Sequence, residues 1–366
     1  MQRQISLDIF RGLTLAAMLL VNNPGSWSHV YAPLLHARWH GFTPTDLIFP
    51  FFMFIVGAAM FYSMASFAHK GVGHSHEVPW FKIAKRTTLL FLIGFLLHVI
   101  PFNHSADSWR IMGVLQRIAL CYGLAAILIC WLSLRQLWLL NVVILLGYWA
   151  LLNVVAEPYT LEGNIVRSVD MLLFGAGHLY QGFGVAFDPE GLLSCLPAVS
   201  TVLLGYLTSA QLNHLTQARS QAHTLLIWGL LALAMAWLWH AYLPVNKPLW
   251  TSSYVLLTAG FAWLLLAAII GVYDVIGLRR GFAWAQIYGS NPLFIYVLAA
   301  LLSITLRSVV WLDSQGQSMN VQRFIYQNLQ ALLSDKNASL AFALLFVGLF
   351  YLLAHWLYQR RIFIKL

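Results

Sequence analysis

Between Asn22 and Pro50 the chain reads NNPGSWSHVYAPLLHARWHGFTPTDLIFP, a short connection dense in groups that bind or move protons. It carries three histidines, His29, His36 and His40, a side chain that titrates near neutral pH and serves as general base or nucleophile. Spacing alone does not choose among the three. Asn22 closes the preceding apolar run, where its amide can end a helix or donate to a developing oxyanion. Thr43-Pro44-Thr45-Asp46 has the form of a helix N-cap with an acidic first turn. The Asp46 carboxylate there can also orient a histidine or hold a substrate amine.

Further candidates follow along the chain. Asp8 and Arg11 are three apart and share a helix face. In RIMGVLQRIAL, helical spacing puts Arg110, Gly113 and Arg117 on one stripe, with Gln116 beside it. An arginine inside a membrane span is expensive unless it is paired or faces water, so Arg117 reads either as an ion-pair partner or as a clamp for phosphate or carboxylate. The 156–190 connection contributes Arg167, Asp170, His178, Asp188 and Glu190, and PVNKPLW contributes Asn246 and Lys247 on a proline-flanked turn. Walker A, zinc-ligand, Gly-x-Ser-x-Gly and dinucleotide fingerprints do not occur, which turns the reading away from ATPase, metallohydrolase and dinucleotide chemistry and implies no metal.

The elements that must position these groups are membrane spans. The chain has 366 residues, 60% of them hydrophobic and 9% charged, with a mean hydropathy of +0.74. Soluble domains are roughly 45–50% apolar and about 25% charged. Long apolar runs without period-two alternation exclude a barrel, so the fold class is an all-α polytopic membrane protein. Ten spans are expected, at roughly 7–24, 45–67, 82–101, 112–132, 137–155, 191–209, 223–243, 250–272, 286–306 and 339–358. The basic clusters Lys82/Lys85/Arg86, Arg279/Arg280 and Arg360/Arg361 then fall on one side with both termini, the cytoplasmic side by the distribution of Lys and Arg. This places the histidine-rich connection on the opposite face, with the 102–111, 156–190 and 244–249 loops. Ile165, Val169, Leu172 and Leu173 predict a short amphipathic helix inside 156–190, whereas 307–338 reads as a solvated connection. Cys121, Cys130 and Cys195 lie in apolar runs and read as packing thiols. The formal charge of +9 comes without a dense basic-aromatic block, so nucleic acid is not an expected partner.

Taken in order, SLDIFRGLTLAAMLLVNNPG, HARWHGFTPTDLIFPFFMFIVG, RIMGVLQRIA, FDPEGLLS, PVNKPLWTSSYV and YQRRIFIKL resemble the heparan-α-glucosaminide N-acetyltransferase family, in the form of its shorter bacterial members. The resemblance runs over essentially the whole chain as one transmembrane acyltransferase domain, 1–366. It implies transfer of an acetyl group from cytosolic acetyl-CoA, a co-substrate, to a glucosamine-type amine on the periplasmic side of a bacterial inner membrane. It also assigns the active histidine to His36 and its asparagine partner to Asn22, with Asp46 as a third member. On that reading Arg117, Arg110 and Gln116 face the negative groups of CoA, or pair with a carboxylate such as Asp170. Asp170, His178, Asp188, Glu190, Asn246 and Lys247 shape the pocket of an amino-sugar or glycan acceptor. Membrane lipids surround the bundle, and a homodimer is left open. The alternative from another class is a transporter or flippase for an amino sugar or lipid-linked glycan, which an outer polar vestibule would serve equally well.

Overall fold

A computed structural model of the chain describes residues 5–68, 78–103, 105–313 and 315–364. The helices are α1 (Ile5–Asn22), α2 (Ile48–Ser63), α3 (Trp80–Val99), α4 (Val114–Trp131), α5 (Leu134–Leu152), α6 (Ile165–Phe174) and α7 (Cys195–His214). They continue with α8 (Ala218–His240), α9 (Ser252–Ile270), α10 (Ala283–Tyr288), α11 (Pro292–Ser308), α12 (Val321–Gln330) and α13 (Asp335–Gln359). One hairpin, β1 (Val310–Leu312) with β2 (Ser318–Asn320), pairs antiparallel in the register Trp311 to Met319.

Each of the ten expected spans has a helix of its own, and eight of these are long and apolar enough to cross a membrane. The other two differ for visible reasons. α3 opens on Lys82, Lys85 and Arg86, and α11 is cut to 17 residues because Asn291-Pro292 divides the predicted 286–306 run into α10 and α11. Proline takes the first helical turn of α11, where its missing N–H costs nothing. The start predicted for the second span at residue 45 is a 3₁₀ turn, Pro44–Leu47, leading into α2.

Lipid tails are as apolar as leucine, so close packing rather than water exclusion must join the helices. Glycines permit it between α2 and α7. A Cβ on Gly57 would lie 1.7 Å from the Val202 carbonyl oxygen, and one on Gly205 would lie 1.9 Å from that of Phe54. The main core gathers α1, α2, α4, α7, α8 and α9 around residues such as Phe10, Phe54, Val202 and Tyr254, and a second core joins α1 to α10, α11 and α13. Cys121, Cys130 and Cys195 are buried free thiols, as expected.

Three local expectations are corrected. The helix predicted in 156–190 forms as α6, capped by Asn164, but it buries Val166 and Asp170 and leaves Leu172 85% exposed. The 307–338 segment is not a bare connection, because it holds the hairpin and α12, which packs on α13. The stripe Arg110–Gly113–Arg117 does not exist either. Gly113 is extended and α4 starts after it, so Arg110 belongs to the loop and points elsewhere.

Candidate active site

The 23–43 connection folds over the end of α1 and separates its three histidines. His29 accepts or donates at Tyr326 (Oη to Nδ1, 3.1 Å) and faces Asp335 at 3.5 Å, tying the loop to α12 and α13. His40 sits 3.4 Å from the Asn246 amide, and burial followed by the neighbouring His240 lowers its pKa. His36 combines a close carboxylate partner with a place on the wall of the large cavity. Its Nδ1 is 2.6 Å from Asp46 Oδ1, and its side chain is half exposed.

Asp46 owes its position to the turn it caps. Thr43 and Asp46 form a capping box, with Asp46 Oδ2 accepting from the Thr43 amide (3.0 Å), the Thr43 hydroxyl (3.1 Å) and the Ala37 amide (3.0 Å). One Asp46 oxygen thus builds the turn and the other meets His36. An acceptor at Nδ1 places the ring proton there and leaves the Nε2 lone pair for the cavity. Asp46 is 1% exposed, and its main-chain carbonyl accepts a 2.5 Å hydrogen bond from Tyr254.

Lys247 completes the cluster from the far end of the chain. The Gly41 amide donates to Val245 (2.8 Å) and Asn246 Nδ2 donates to the Trp39 carbonyl (3.0 Å), so the 244–249 turn is laced to the histidine loop. Lys247 Nζ thereby reaches 3.3 Å from Asp46 Oδ1 and 3.1 Å from His36 Nδ1. Burial lowers the pKa of this ammonium group, while Asp46 and then Glu190 act in the opposite sense.

At the end of α1 the two asparagines divide the work. Asn23 is buried and donates back to the Leu19 carbonyl (2.9 Å), while Asn22 lines the cavity. Glu190 lines it too. It is held by a turn in which Arg110 grips Asp188 through two hydrogen bonds (2.7 and 2.8 Å) and Glu190 Oε2 through a third (2.5 Å).

The cavity encloses about 810 Å³. On α1 its wall runs from Leu7 to Asn22, fifteen residues apart, or about 22 Å along a helix axis. One end carries His36, Asn22, Glu190 and Lys247; the other carries Asp8, Arg11, Tyr62 and Arg86. Asp8 and Arg11 pair at 2.6 Å, as their spacing predicted. Arg86 lies over the Tyr122 ring at 4.7 Å, and its Nε has no hydrogen-bond partner among the described residues.

Of the twelve candidates, His36, Asn22, Glu190 and Lys247 line the cavity and Asp46 touches His36. The others stand behind it. Arg117 is fully buried over Trp250 (4.9 Å), donates to the Gly191 carbonyl and to Ser194, and makes no ion pair with Asp170. Gln116 donates to Ile111 and His178 Nδ1 meets the Trp109 carbonyl at 2.8 Å. Asp188 is saturated by Arg110, Asp170 accepts from the Leu192 amide (2.9 Å) and Asn246 clamps the turn that carries Lys247. Arg86 is the member not anticipated. The test applied to Arg117, a cation more than a turn inside an apolar helix, singles it out equally well, but its cluster with Lys82 and Lys85 was read as a mark of orientation.

A bundle with eight helices long and apolar enough to cross a membrane, and a His–Asp pair at one end of an internal cavity, defines an all-α polytopic membrane protein. The profile of the family described as heparan-alpha-glucosaminide N-acetyltransferase, catalytic, matches residues 3–240, and the chain belongs to that family. The heparan-alpha-glucosaminide N-acetyltransferase of Homo sapiens is 32% identical over 352 aligned positions, covering 80% of this chain and 52% of the relative. That of Mus musculus is 29% identical over 349 positions, with the same shares. The chain thus spans about half the length of the curated relatives it matches.

Proposed function

We propose that the protein is a membrane-bound acetyltransferase that moves an acetyl group from acetyl-CoA to the amine of a glucosamine-type sugar or glycan. The observation that carries the reading is the cavity itself, which joins an arginine-bearing end to the His36–Asp46 pair. The phosphates of CoA belong at the Arg86 end, since guanidinium groups bind phosphate through charge-assisted hydrogen bonds. The acyl arm extends through the cavity and presents its thioester at His36. With the basic clusters cytoplasmic, donor binding is on the cytoplasmic side and acceptor binding on the periplasmic side of a bacterial inner membrane.

In the transfer step the acceptor nitrogen attacks the thioester carbonyl carbon. His36 Nε2 takes the proton that the amine loses, and Asp46 holds the ring through Nδ1. The Asn22 amide, on the same wall, donates to the oxyanion of the tetrahedral intermediate. Collapse breaks the carbon–sulfur bond, and the proton on His36 passes to the departing thiolate, so amine and thioester become amide and thiol. A route through acetyl-His36 uses the same atoms in two displacements. Glu190 and Lys247 are the acceptor-side contacts.

Purified protein in lipid, supplied with acetyl-CoA, tests this. CoA release is expected to require an amino-sugar acceptor, and His36→Ala is expected to lower kcat by about 10²–10⁴ while still binding acetyl-CoA. A folded His36→Ala protein turning over at the native rate overturns the assignment. Sugar flux through the native protein without CoA release replaces it with the carrier reading.

A further inference from the structure

At the Arg86 end the cavity is walled in part by the last described residues of the chain. α13 stops at Gln359, and Arg361 then adopts a left-handed conformation (φ 56°) that turns the backbone across the bundle. A non-glycine residue rarely adopts this conformation without other contacts to hold it. Here Asn291, fully buried at the start of α11, supplies them. Its Nδ2 donates to the Ile362 carbonyl (2.9 Å) and its Oδ1 accepts from the Ile364 amide (2.7 Å). One side-chain amide therefore pairs with the backbone on both sides of Phe363, as a neighbouring strand would. The clamp presents residue 363 in a fixed direction. Phe363 lines the cavity, contacts the Tyr358 ring edge-on at 6.2 Å and remains 45% exposed, close to the end that carries Arg86.

We propose that the Asn291-clamped segment Ile362–Ile364 is a built wall of the donor mouth, and that the exposed face of Phe363 stacks the purine base of the donor nucleotide. An exposed aromatic ring and a guanidinium on the wall of one long cavity offer a flat apolar surface for a base and a cation for its phosphates. Phe363 is the binding residue here, and Asn291 is a positioning residue that acts through it. The proposal rests on the acetyl-CoA reading and assigns one part of that donor, its nucleotide, to one segment of this chain.

The test is equilibrium binding, without turnover, of CoA and of pantetheine, which lacks the nucleotide, to the full chain in lipid. Phe363→Ala is expected to weaken CoA about 5- to 150-fold, the range found when a base loses an aromatic partner, and to leave pantetheine binding as it was. Phe363→Trp restores CoA binding, and Asn291→Ala weakens it in the same selective way. In turnover, the KM for acetyl-CoA rises while the KM for the acceptor stays. Native protein that binds CoA no better than Phe363→Ala does overturns the stacking assignment alone, as does an equal loss of CoA and pantetheine. Native protein that binds no CoA overturns the donor reading and this proposal with it. Phe363→Ala changes an exposed ring, so it keeps the test decisive if Asn291→Ala does not fold.

Discussion

Replacing Asp46 by Asn probes the site most sharply, because the geometry dictates how the amide must sit. Oδ2 of the native carboxylate accepts two main-chain N–H groups and a hydroxyl, whereas Oδ1 faces His36 Nδ1 and Lys247 Nζ. An amide oriented with its NH₂ toward Ala37 and Thr43 would leave two buried N–H donors unpaired, at about 1–3 kcal/mol each. The other orientation keeps those bonds and turns the NH₂ toward His36. Nδ1 must then accept, which drives the ring proton to Nε2 and removes the lone pair that faces the cavity. The variant is isosteric and retains the turn, yet it holds the wrong tautomer. The same exchange behind the histidine of a serine-protease triad costs about 10⁴ in kcat, or about 5 kcal/mol at 1.36 kcal/mol per tenfold. CoA release with saturating acetyl-CoA and acceptor is the assay, with the thermal unfolding midpoint measured alongside. Asp46→Asn is expected to lose 10²–10⁴-fold in kcat. A folded variant within about threefold of the native rate refutes the argument, because the His36 tautomer would then not matter.

Two further predictions come from either side of the cavity. Arg86→Ala should raise the KM for acetyl-CoA about 10- to 100-fold, the worth of a hydrogen bond to a charged group, with Arg86→Lys intermediate, and an unchanged KM removes Arg86 from the donor site. Asp170 is buried, and this burial, opposed by the Leu192 amide and reinforced by Asp188, pushes its carboxyl up to about 7. Between about pH 4, its unfolded value, and about pH 7 the folded state holds the extra proton, so stability falls as pH rises through that window, by about 4 kcal/mol at most. Asp170→Asn should therefore gain more in thermal midpoint over native at pH 8 than at pH 5, and an equal gain at both contradicts the titration.

Hydropathy made the helices legible to within a few residues, but it did not say which way they face. α7 and α8 show why. α7 is the less apolar of the two (mean hydropathy 1.3 against 1.6), yet 89% of it is enclosed, against 22% of α8. In a bilayer a lipid-facing leucine and a core leucine look alike, so the polar–apolar contrast that marks a buried face in water is nearly absent. The same limit hid the site. Asn22, His36 and Asp46 could be grouped because the chain itself brings them near, whereas Lys247 meets His36 from 211 residues away through the bridge at Gly41. Asp188 and Glu190 were legible as acidic groups of the 156–190 connection, but nothing in the sequence revealed that Arg110 would pair with both and that Glu190 would stand on the cavity wall.

The distribution of charge along the cavity bears on the choice between enzyme and carrier. Charged and proton-active groups lie at its two ends, Asp8, Arg11 and Arg86 at one and His36, Glu190 and Lys247 at the other. Between them the wall is Met18, Phe52, Ile55, Val56, Val114 and Ile118. An amino sugar protonated at neutral pH would have to shed its hydration along that stretch with no carboxylate to receive it, and a charge in such surroundings is costly by several kcal/mol. A pantetheine thioester arm carries two amides and a hydroxyl but no charge, and it crosses the same stretch without the cost of desolvating an ion. On the proposed reading, the middle of the cavity favours an uncharged donor arm over a protonated amino sugar, so the two substrates would meet at one end without either being carried through.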